Sequence, residues 1–178
     1  DRGFGGMVIQ NLITGLEEKD GELIVGAGMD LQKLVWTANR RGIVGFSKMA
    51  GIPGSVGGAV YGNAGAYGQQ ISDHLMWVEV LNPQTGEVKK LTRDKIEFSY
   101  RNSQFKRTKE IILRIGFKIE KGDANTLARE SKETVETRTA KYQPGIACPG
   151  SFFKNIEVSN LSQKVAAKIP VDKISYGK

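Results

Sequence analysis

The chain has 178 residues, 39% of them hydrophobic, which suffices for one folded domain and part of a second. Its net charge is +7, but acidic residues stand among the basic ones and no aromatic-basic alternation is present, so we expect no nucleic-acid partner. No run of about eighteen apolar residues occurs, so we expect no membrane partner. Cys148 is the single cysteine, which excludes an internal disulfide and is compatible with the reducing cytoplasm.

The first part of the chain predicts a short β-meander followed by one helix. Residues 7–9 and 22–25 have strand-like composition and flank a polar turn at 17–21. Asp30 is a candidate N-cap, and apolar residues then recur at helical spacing until Gly42. The predicted core positions of this helix are Leu31, Leu34, Val35, Trp36 and Ala38.

Gly26-x-Gly28 lies between this predicted strand and helix and imitates a dinucleotide-binding fingerprint. The third glycine position is occupied by Leu31, however, and no acidic residue stands about twenty residues after Gly28. A Rossmann site is therefore not favoured.

The most unusual stretch is the glycine tract, residues 50–68, with seven glycines and one proline. Glycine loses more backbone entropy on ordering than other residues, so this density indicates positive φ angles or close backbone approach. Successive N–H groups in Gly-rich turns bind phosphate oxygens, and Pro53 stiffens the entry. We predict an anion-binding loop rather than a linker, because apolar residues are interleaved, and no Walker pattern is present.

The middle of the chain predicts a β-hairpin and a further strand. Residues 76–81 and 87–91 alternate in polarity around the turn at 82–86, and residues 111–119 form the most strand-like run. Beyond them, Asp123 can cap a helix from 124 to about 141. That helix has few apolar residues, so we expect it to bridge two bodies. A further helix is predicted from Ser159 to Lys168.

Two short segments carry side chains suited to chemistry. Residues 98–106 combine aromatics, hydroxyls and Arg101, which is either a turn with core aromatics or a rigid guanidinium aimed at a carboxylate or enolate. Ser151 follows a Pro-Gly pair, where serine is most often a turn residue. We expect His74 to be structural and Cys148 to be a small buried residue, and no spacing predicts a metal site.

Three separated motifs are distinctive in combination. They are Gly51-Ile52-Pro53-Gly54-Ser55-Val56-Gly57-Gly58-Ala59 with Asn63-Ala64-Gly65-Ala66-Tyr67-Gly68, then Tyr100-Arg101-x-Ser103-x-Phe105, then Gly150-Ser151-Phe152-Phe153-Lys154-Asn155. Together they resemble the UDP-N-acetylenolpyruvoylglucosamine reductase (UDP-N-acetylmuramate dehydrogenase) family, flavoenzymes of bacterial cell-wall precursor synthesis, and their order and rough spacing match over nearly the whole chain.

The resemblance implies an α+β fold, with an FAD-binding domain of the PCMH/vanillyl-alcohol-oxidase-like type followed by part of a smaller α+β substrate-binding domain. The corresponding ranges are 1–122 for the flavin domain, 123–141 for a bridging helix and 142–178 for the start of the substrate domain. The family's first flavin-binding segment and its late catalytic glutamate are not recognisable, so we expect a fragment that lacks both ends. The spacing of Arg101 and Ser151 resembles the family's shorter subtype.

The resemblance also implies the cofactors and the reaction. NADPH reduces FAD, and the flavin N5 then delivers hydride to the enolpyruvyl group of UDP-N-acetylglucosamine-enolpyruvate, which gives UDP-N-acetylmuramate. We expect the enzyme to be a monomer and to act in the cytoplasm. The implied FAD-binding residues are Gly51, Ile52, Pro53, Gly54, Ser55, Gly57, Gly58, Asn63, Ala64, Gly65 and Ala66.

The implied catalytic residues are Arg101, Tyr100 and Ser151. Arg101, beside Tyr100, would neutralise the substrate carboxylate and the enolate charge, and Ser151 would donate the proton that completes reduction. The implied substrate-binding residues are Ser103, Lys141, Lys154 and Asn155, of which Lys141 matches only approximately.

Two alternatives remain open at this point. One is another FAD-dependent oxidoreductase of the same flavin-domain class, acting on a sugar or an alcohol. The other is a non-catalytic nucleotide-binding fragment.

Overall fold

The computed structural model describes residues 3–141, 154–156 and 158–170. Nine strands are described: β1 (Leu16–Lys19), β2 (Glu22–Gly26), β3 (Gly65–Ala66), β4 (Gln69–Gln70), β5 (Leu75–Leu81), β6 (Val88–Thr92), β7 (Phe98–Ser99), β8 (Asn102–Ser103) and β9 (Ile111–Lys118). Five α-helices are described: α1 (Leu31–Arg40), α2 (Val56–Gly62), α3 (Phe105–Thr108), α4 (Ala124–Lys141) and α5 (Gln163–Ala166). The chain divides into two compact units, residues 1–141 and 142–178.

A five-stranded antiparallel sheet with the order β1-β2-β9-β5-β6 forms the centre of the first unit. Ile115 of the middle strand lies opposite Val25 on one side and Val78 on the other, and all three are fully buried. Side chains directly across a sheet share one face, so this row marks the face that packs on the core. Helix α2 covers it, in contact with β2, β9 and α1.

The strand prediction at the start of the chain was half right. Residues 22–25 lie in β2 as predicted, but residues 7–9 form no strand, and Met7 and Val8 are 84% and 81% exposed. The partner of β2 is β1 instead. Asp20 and Gly21, with φ of 51° and 78°, form a two-residue hairpin turn, which pairs β2 with the residues immediately before it.

The prediction of α1 is confirmed, except for Trp36. The Asp30 carboxylate accepts a hydrogen bond from Lys33 N at 2.8 Å, and Gly42 follows the helix with φ of 64°. Trp36 is 59% exposed, so its predicted core position is wrong. It falls outside the i, i+3, i+4, i+7 stripe on which the other predicted core residues lie. Those residues, Leu31, Leu34, Val35 and Ala38, are fully buried.

The later hairpin and strand are also as predicted, since β5 and β6 pair around residues 82–87 and β9 covers most of 111–119. The last helix is shorter than predicted. It covers only Gln163–Ala166, because Ser162 has an extended backbone, with ψ of 147°, at the N-cap position. No described helix is both long and apolar enough to cross a membrane.

Helix α4 has the predicted bounds and is preceded by Asp123, whose carboxylate accepts from Thr126 N at 2.7 Å. Its few apolar residues are compensated by buried polar contacts with other parts of the first unit. Asn39 Nδ2 donates to Ser131 Oγ at 2.7 Å, and Ser131 Oγ donates to the Ser47 carbonyl at 3.0 Å. Buried hydrogen bonds of this kind fix a helix in one position, although Asn39 Oδ1 itself has no partner among the described residues. The three predicted domain ranges stay predictions.

The Glu110 carboxylate provides a stability test, because its side chain is only 7% exposed and accepts from Lys89 Nζ and Thr108 Oγ1 at 2.8 and 2.9 Å. Burial would raise its pKa, but these partners outweigh burial and hold the pKa below its ordinary value. A carboxyl whose pKa is lowered by folding stabilises the protein above its unfolded pKa, and this contribution is lost as pH falls through the folded pKa.

We expect Glu110→Gln to lower the free energy of unfolding by about 1–3 kcal/mol near neutral pH, and the loss should shrink below about pH 4. Glu97→Gln is the matched control, since Glu97 pairs with Arg107 but is 73% exposed. Its effect should stay below about 1 kcal/mol. Urea unfolding at several pH values measures both, and equal losses in the two variants would contradict the role of burial at Glu110.

Candidate functional site

The glycine tract is not one continuous loop as predicted. Gly51 and Gly54 have φ of 78° and 111°, after which residues Val56–Gly62 form α2. Asn63 ends α2 in the left-handed conformation, with φ of 46°, and leads into the β3–β4 hairpin. The tract therefore presents a turn, a short helix and a hairpin in succession.

Antiparallel backbone pairing with the segment before α1 fixes the turn at residues 54–57. Leu31 N donates to Gly54 O at 2.9 Å, Val56 N to Met29 O at 2.8 Å, and Gly57 N to Ala27 O at 2.8 Å. These bonds satisfy the N–H groups of Val56 and Gly57, the first two residues of α2. The N–H group of the third residue, Gly58, donates to the Ser55 hydroxyl at 3.1 Å.

This pairing decides which amides a ligand can use. Gly57 and Gly58 offer close backbone approach rather than free N–H donors. Among the described residues, the N–H groups of Gly54 and Ser55 have no hydrogen-bond acceptor. They are adjacent and accessible, with Gly54 exposed and Ser55 half-buried. Two successive free amides beside a positive-φ glycine match the kind of concavity that binds phosphate oxygens.

Asn63 contributes an unsatisfied acceptor at the other end of α2. The residue is 2% exposed, and its Nδ2 donates to Gln70 Oε1 at 2.8 Å and to the Ser99 carbonyl at 3.1 Å. Its Oδ1 is buried without a hydrogen-bond partner. An orphaned acceptor costs about 1–3 kcal/mol, which a ligand donor would recover.

Arg101 lies beside the tract, at the turn of the β7–β8 hairpin. Its Nη1 donates to the Gly65 carbonyl at 3.1 Å, and its guanidinium lies 5.4 Å from the centre of the Tyr100 ring. The hairpin is attached to α2 through Ser103, which is 1% exposed and donates from Oγ to the Tyr61 carbonyl at 2.7 Å. The structure thus brings Arg101 and Tyr100 together with the tract. Ser103 attaches the β7–β8 hairpin to α2 instead, and its predicted contact with the substrate stays a prediction.

The remaining predicted residues are placed as follows. Ile52 and Ala64 are partly buried against the core, and Ala66 lies in the β3–β4 hairpin. Lys154 and Asn155 are exposed residues of the second unit. Ser151 and Cys148 lie outside the described residues, and of Lys141 only the backbone is described.

Residues contacting the first part of the tract were missed by sequence reasoning. Gly51 N donates to Gln32 Oε1 at 2.5 Å, and the Arg138 side chain lies against Gly51. Neither residue belongs to a motif, and both reach the tract only because α1 and α4 pack beside it, so no local signal could have identified them.

The glycines that imitate a dinucleotide fingerprint have a different use. A Cβ atom at Gly26 or Gly28 would lie 2.1 Å from the carbonyl oxygen of Ile13 or Asn11, respectively. These glycines therefore make room for the chain's own N-terminal segment, which agrees with the rejection of a Rossmann site.

A groove of about 670 Å³ between α1 and α4 is a separate feature. Trp36 and Val135 line it, and no residue of the tract or of the β7–β8 hairpin does. The groove adjoins the tract through Gln32 and Val135, which also contact Gly51. Among the described residues, no three potential metal ligands cluster.

Comparison with known families indicates the class of ligand that the first part of the chain binds. A family model described as "FAD binding domain" matches residues 1–92, more than half of the chain. The chain belongs to the family of FAD-binding domains. The α+β fold predicted for such a domain is thereby confirmed, and FAD is the ligand class that its members are built to hold.

Individual relatives confirm the resemblance to UDP-N-acetylenolpyruvoylglucosamine reductases. The protein of that name from Solibacter usitatus is 38% identical over the whole chain, which covers 57% of the relative. That from Pseudothermotoga lettingae is 44% identical over 76% of the chain and 47% of the relative. The chain thus spans about half the length of these relatives.

A solved structure supports the same resemblance. The crystal structure of UDP-N-acetylenolpyruvylglucosamine reductase from Thermus caldophilus superposes with a TM-score of 0.59 and 33% identity, over 65% of this chain and 42% of that one.

The described residues are chemically compatible with an FAD nucleotide. The free N–H groups of Gly54 and Ser55 are donors of the kind that diphosphate oxygens accept, and the buried Asn63 Oδ1 is an acceptor without a partner.

Gly57 tests the close approach of the tract to its neighbour. A Cβ atom there would lie 2.8 Å from Ala27 Cβ and 3.0 Å from Ala27 O. We expect Gly57→Ala to lower the free energy of unfolding by about 1–3 kcal/mol through overpacking, and to lower flavin content with it.

Gly58→Ala is the matched control, since its Cβ would meet only Ser55 Oγ at 3.4 Å. It should be neutral or stabilising by up to about 1 kcal/mol, because alanine favours helix. Thermal unfolding and flavin absorbance of the purified variants measure both effects. Equal stability of the two variants would contradict the backbone pairing.

Proposed function

We propose that this chain supplies the flavin-binding part of a UDP-N-acetylenolpyruvoylglucosamine reductase. The enzyme reduces the enolpyruvyl group of UDP-N-acetylglucosamine-enolpyruvate to UDP-N-acetylmuramate, with NADPH as reductant. The observation that supports the proposal is the hydrogen bond from Arg101 to the Gly65 carbonyl, because Arg101 is the proposed substrate-binding residue and Gly65 belongs to the proposed flavin-binding tract. The two relatives described above, both named as this reductase, support it.

The tract holds the cofactor through its own backbone. Gly54 and Ser55 donate their N–H groups to the diphosphate, and Asn63 Oδ1 accepts from the flavin half. FAD, when bound, supplies hydride transfer. Pro53 and the pairing of residues 54–57 with residues 27–31 keep these donors in place without ligand, so little ordering entropy is lost on binding.

Arg101 binds the substrate carboxylate and stabilises the negative charge that grows on it during reduction. One of its N–H groups is used by Gly65 O, which orients the guanidinium and leaves the other donors for an anion. The residue has a φ of 53°, a conformation that the short β7–β8 turn imposes on a non-glycine residue. A preoriented cation costs no reorganisation when charge develops.

Ser151, matched in the family motif, is proposed as the donor of the proton that completes reduction. Lys154 and Asn155 belong to the same motif and are proposed to bind the UDP moiety, together with Lys141. We further propose that the enzyme is a cytoplasmic monomer acting in peptidoglycan precursor synthesis, and thereby in cell shape and division.

Replacing Arg101 tests this function in the FAD-loaded enzyme. We expect Arg101→Lys to keep normal flavin content but to lower turnover of the enolpyruvyl substrate by about a hundredfold, since lysine retains charge but loses the planar fork. Arg107→Lys, at an exposed arginine paired with Glu97 nearby, should leave turnover unchanged. NADPH oxidation with substrate measures both, and an unchanged rate in Arg101→Lys would remove this residue from the mechanism.

A further inference from the structure

Arg138 lies on α4 and reaches both ends of the glycine tract. Its Cδ lies 3.0 Å from the position that a Cβ of Gly51 would occupy, so the aliphatic stem packs on the beginning of the tract. Its guanidinium carbon lies 5.8 Å from the centre of the Tyr67 ring, in the hairpin that ends the tract. This one side chain therefore borders the surface on which the cofactor is proposed to lie.

The charge of Arg138 has no anionic partner in the described part of the chain. No carboxylate there lies within ion-pair distance of it, and its Nε is buried without a hydrogen-bond acceptor. Two other cationic residues of α4 do have a carboxylate partner, because Arg129 and Lys132 each lie 3.9 Å from the glutamate four residues later. A buried donor of a charged group without an acceptor is costly, and an anion would relieve that cost.

The position of Arg138 is fixed by the middle of α4. Glu130 Oε2 accepts from Ser47 Oγ at 2.7 Å, and Ser131 Oγ donates to the Ser47 carbonyl at 3.0 Å. Ser47 lies just before the tract, so the same contacts hold the helix and the entry of the tract together. The backbone position of Arg138 relative to Gly51 is thus set by the fold before any ligand binds.

We propose that Arg138 is a cofactor-binding residue whose guanidinium pairs with the diphosphate of the flavin nucleotide. It acts beside the free amides of Gly54 and Ser55, adding a full charge to their partial ones. Helix α4 thereby becomes part of the cofactor site. The inference rests on the proposed flavin site and names one more residue of it.

Arg138→Met tests the charge, because methionine keeps much of the apolar stem against Gly51. The FAD-loaded protein containing this chain is stripped of flavin, and FAD is titrated by fluorescence at salt concentrations from about 0.05 to about 0.5 M. We expect the dissociation constant for FAD to rise at least tenfold at low salt in Arg138→Met. Its salt dependence should also become flatter, since one screened ion pair is lost. Arg138→Lys should keep the wild-type salt dependence.

Arg129→Gln is the control on the same helix, at a 69% exposed arginine, and should leave the dissociation constant unchanged. An unchanged dissociation constant in Arg138→Met, or a rise with wild-type salt dependence, would overturn the assignment and leave Arg138 a packing residue. Failure of the wild-type protein to bind FAD would instead contradict the proposed function, so the two failures are distinguishable.

Discussion

The candidate site depends on the antiparallel backbone pairing between residues 54–57 and residues 27–31. Three hydrogen bonds of 2.8–2.9 Å join the two segments. They satisfy the first two amides of α2 and fix the turn that precedes the helix. Because the pairing uses the N–H groups of Val56 and Gly57, the described turn at residues 54–57 keeps those of Gly54 and Ser55 for a ligand.

The same pairing explains where glycine is needed. Gly57 has no room for a Cβ because Ala27 lies against it, whereas Gly54 has open space but a φ of 111° that a side chain rarely adopts. Gly58 shows neither constraint in the protein itself. Glycine is thus needed in the tract for two separate physical reasons, which are close packing at Gly57 and a positive φ at Gly54. Only the second concerns a residue whose N–H group is free for a ligand.

A second set of contacts connects the tract to residues far away in sequence. Ser103 attaches the Arg101 hairpin to α2, and Ser131 attaches α4 to the entry of the tract. Each hydroxyl is buried and donates to a backbone carbonyl, so each fixes a distance rather than only filling space. A cation from each element, Arg101 and Arg138, is thereby held at the tract.

Sequence reasoning succeeded where a signal is local. The Asp30 cap with its leucine stripe, the hairpin of β5 and β6, and the strand β9 were all predicted. It failed at α2, because glycine has low helix propensity and the helix is stabilised by tertiary backbone bonds. It also failed at Trp36, where hydrophobicity was given more weight than helical position. Arg101 was found through a family motif, but its contact with Gly65 depends on the hairpin register, and Arg138 carries no local signal.

Amide hydrogen exchange at individual residues, measured by NMR with and without FAD, tests the central claim most directly. Our account predicts that FAD slows exchange at Gly54 and Ser55, whose N–H groups are free, much more than at Gly57 and Gly58, whose N–H groups are already bonded. Unchanged exchange at Gly54 and Ser55 in the FAD-saturated protein would contradict it.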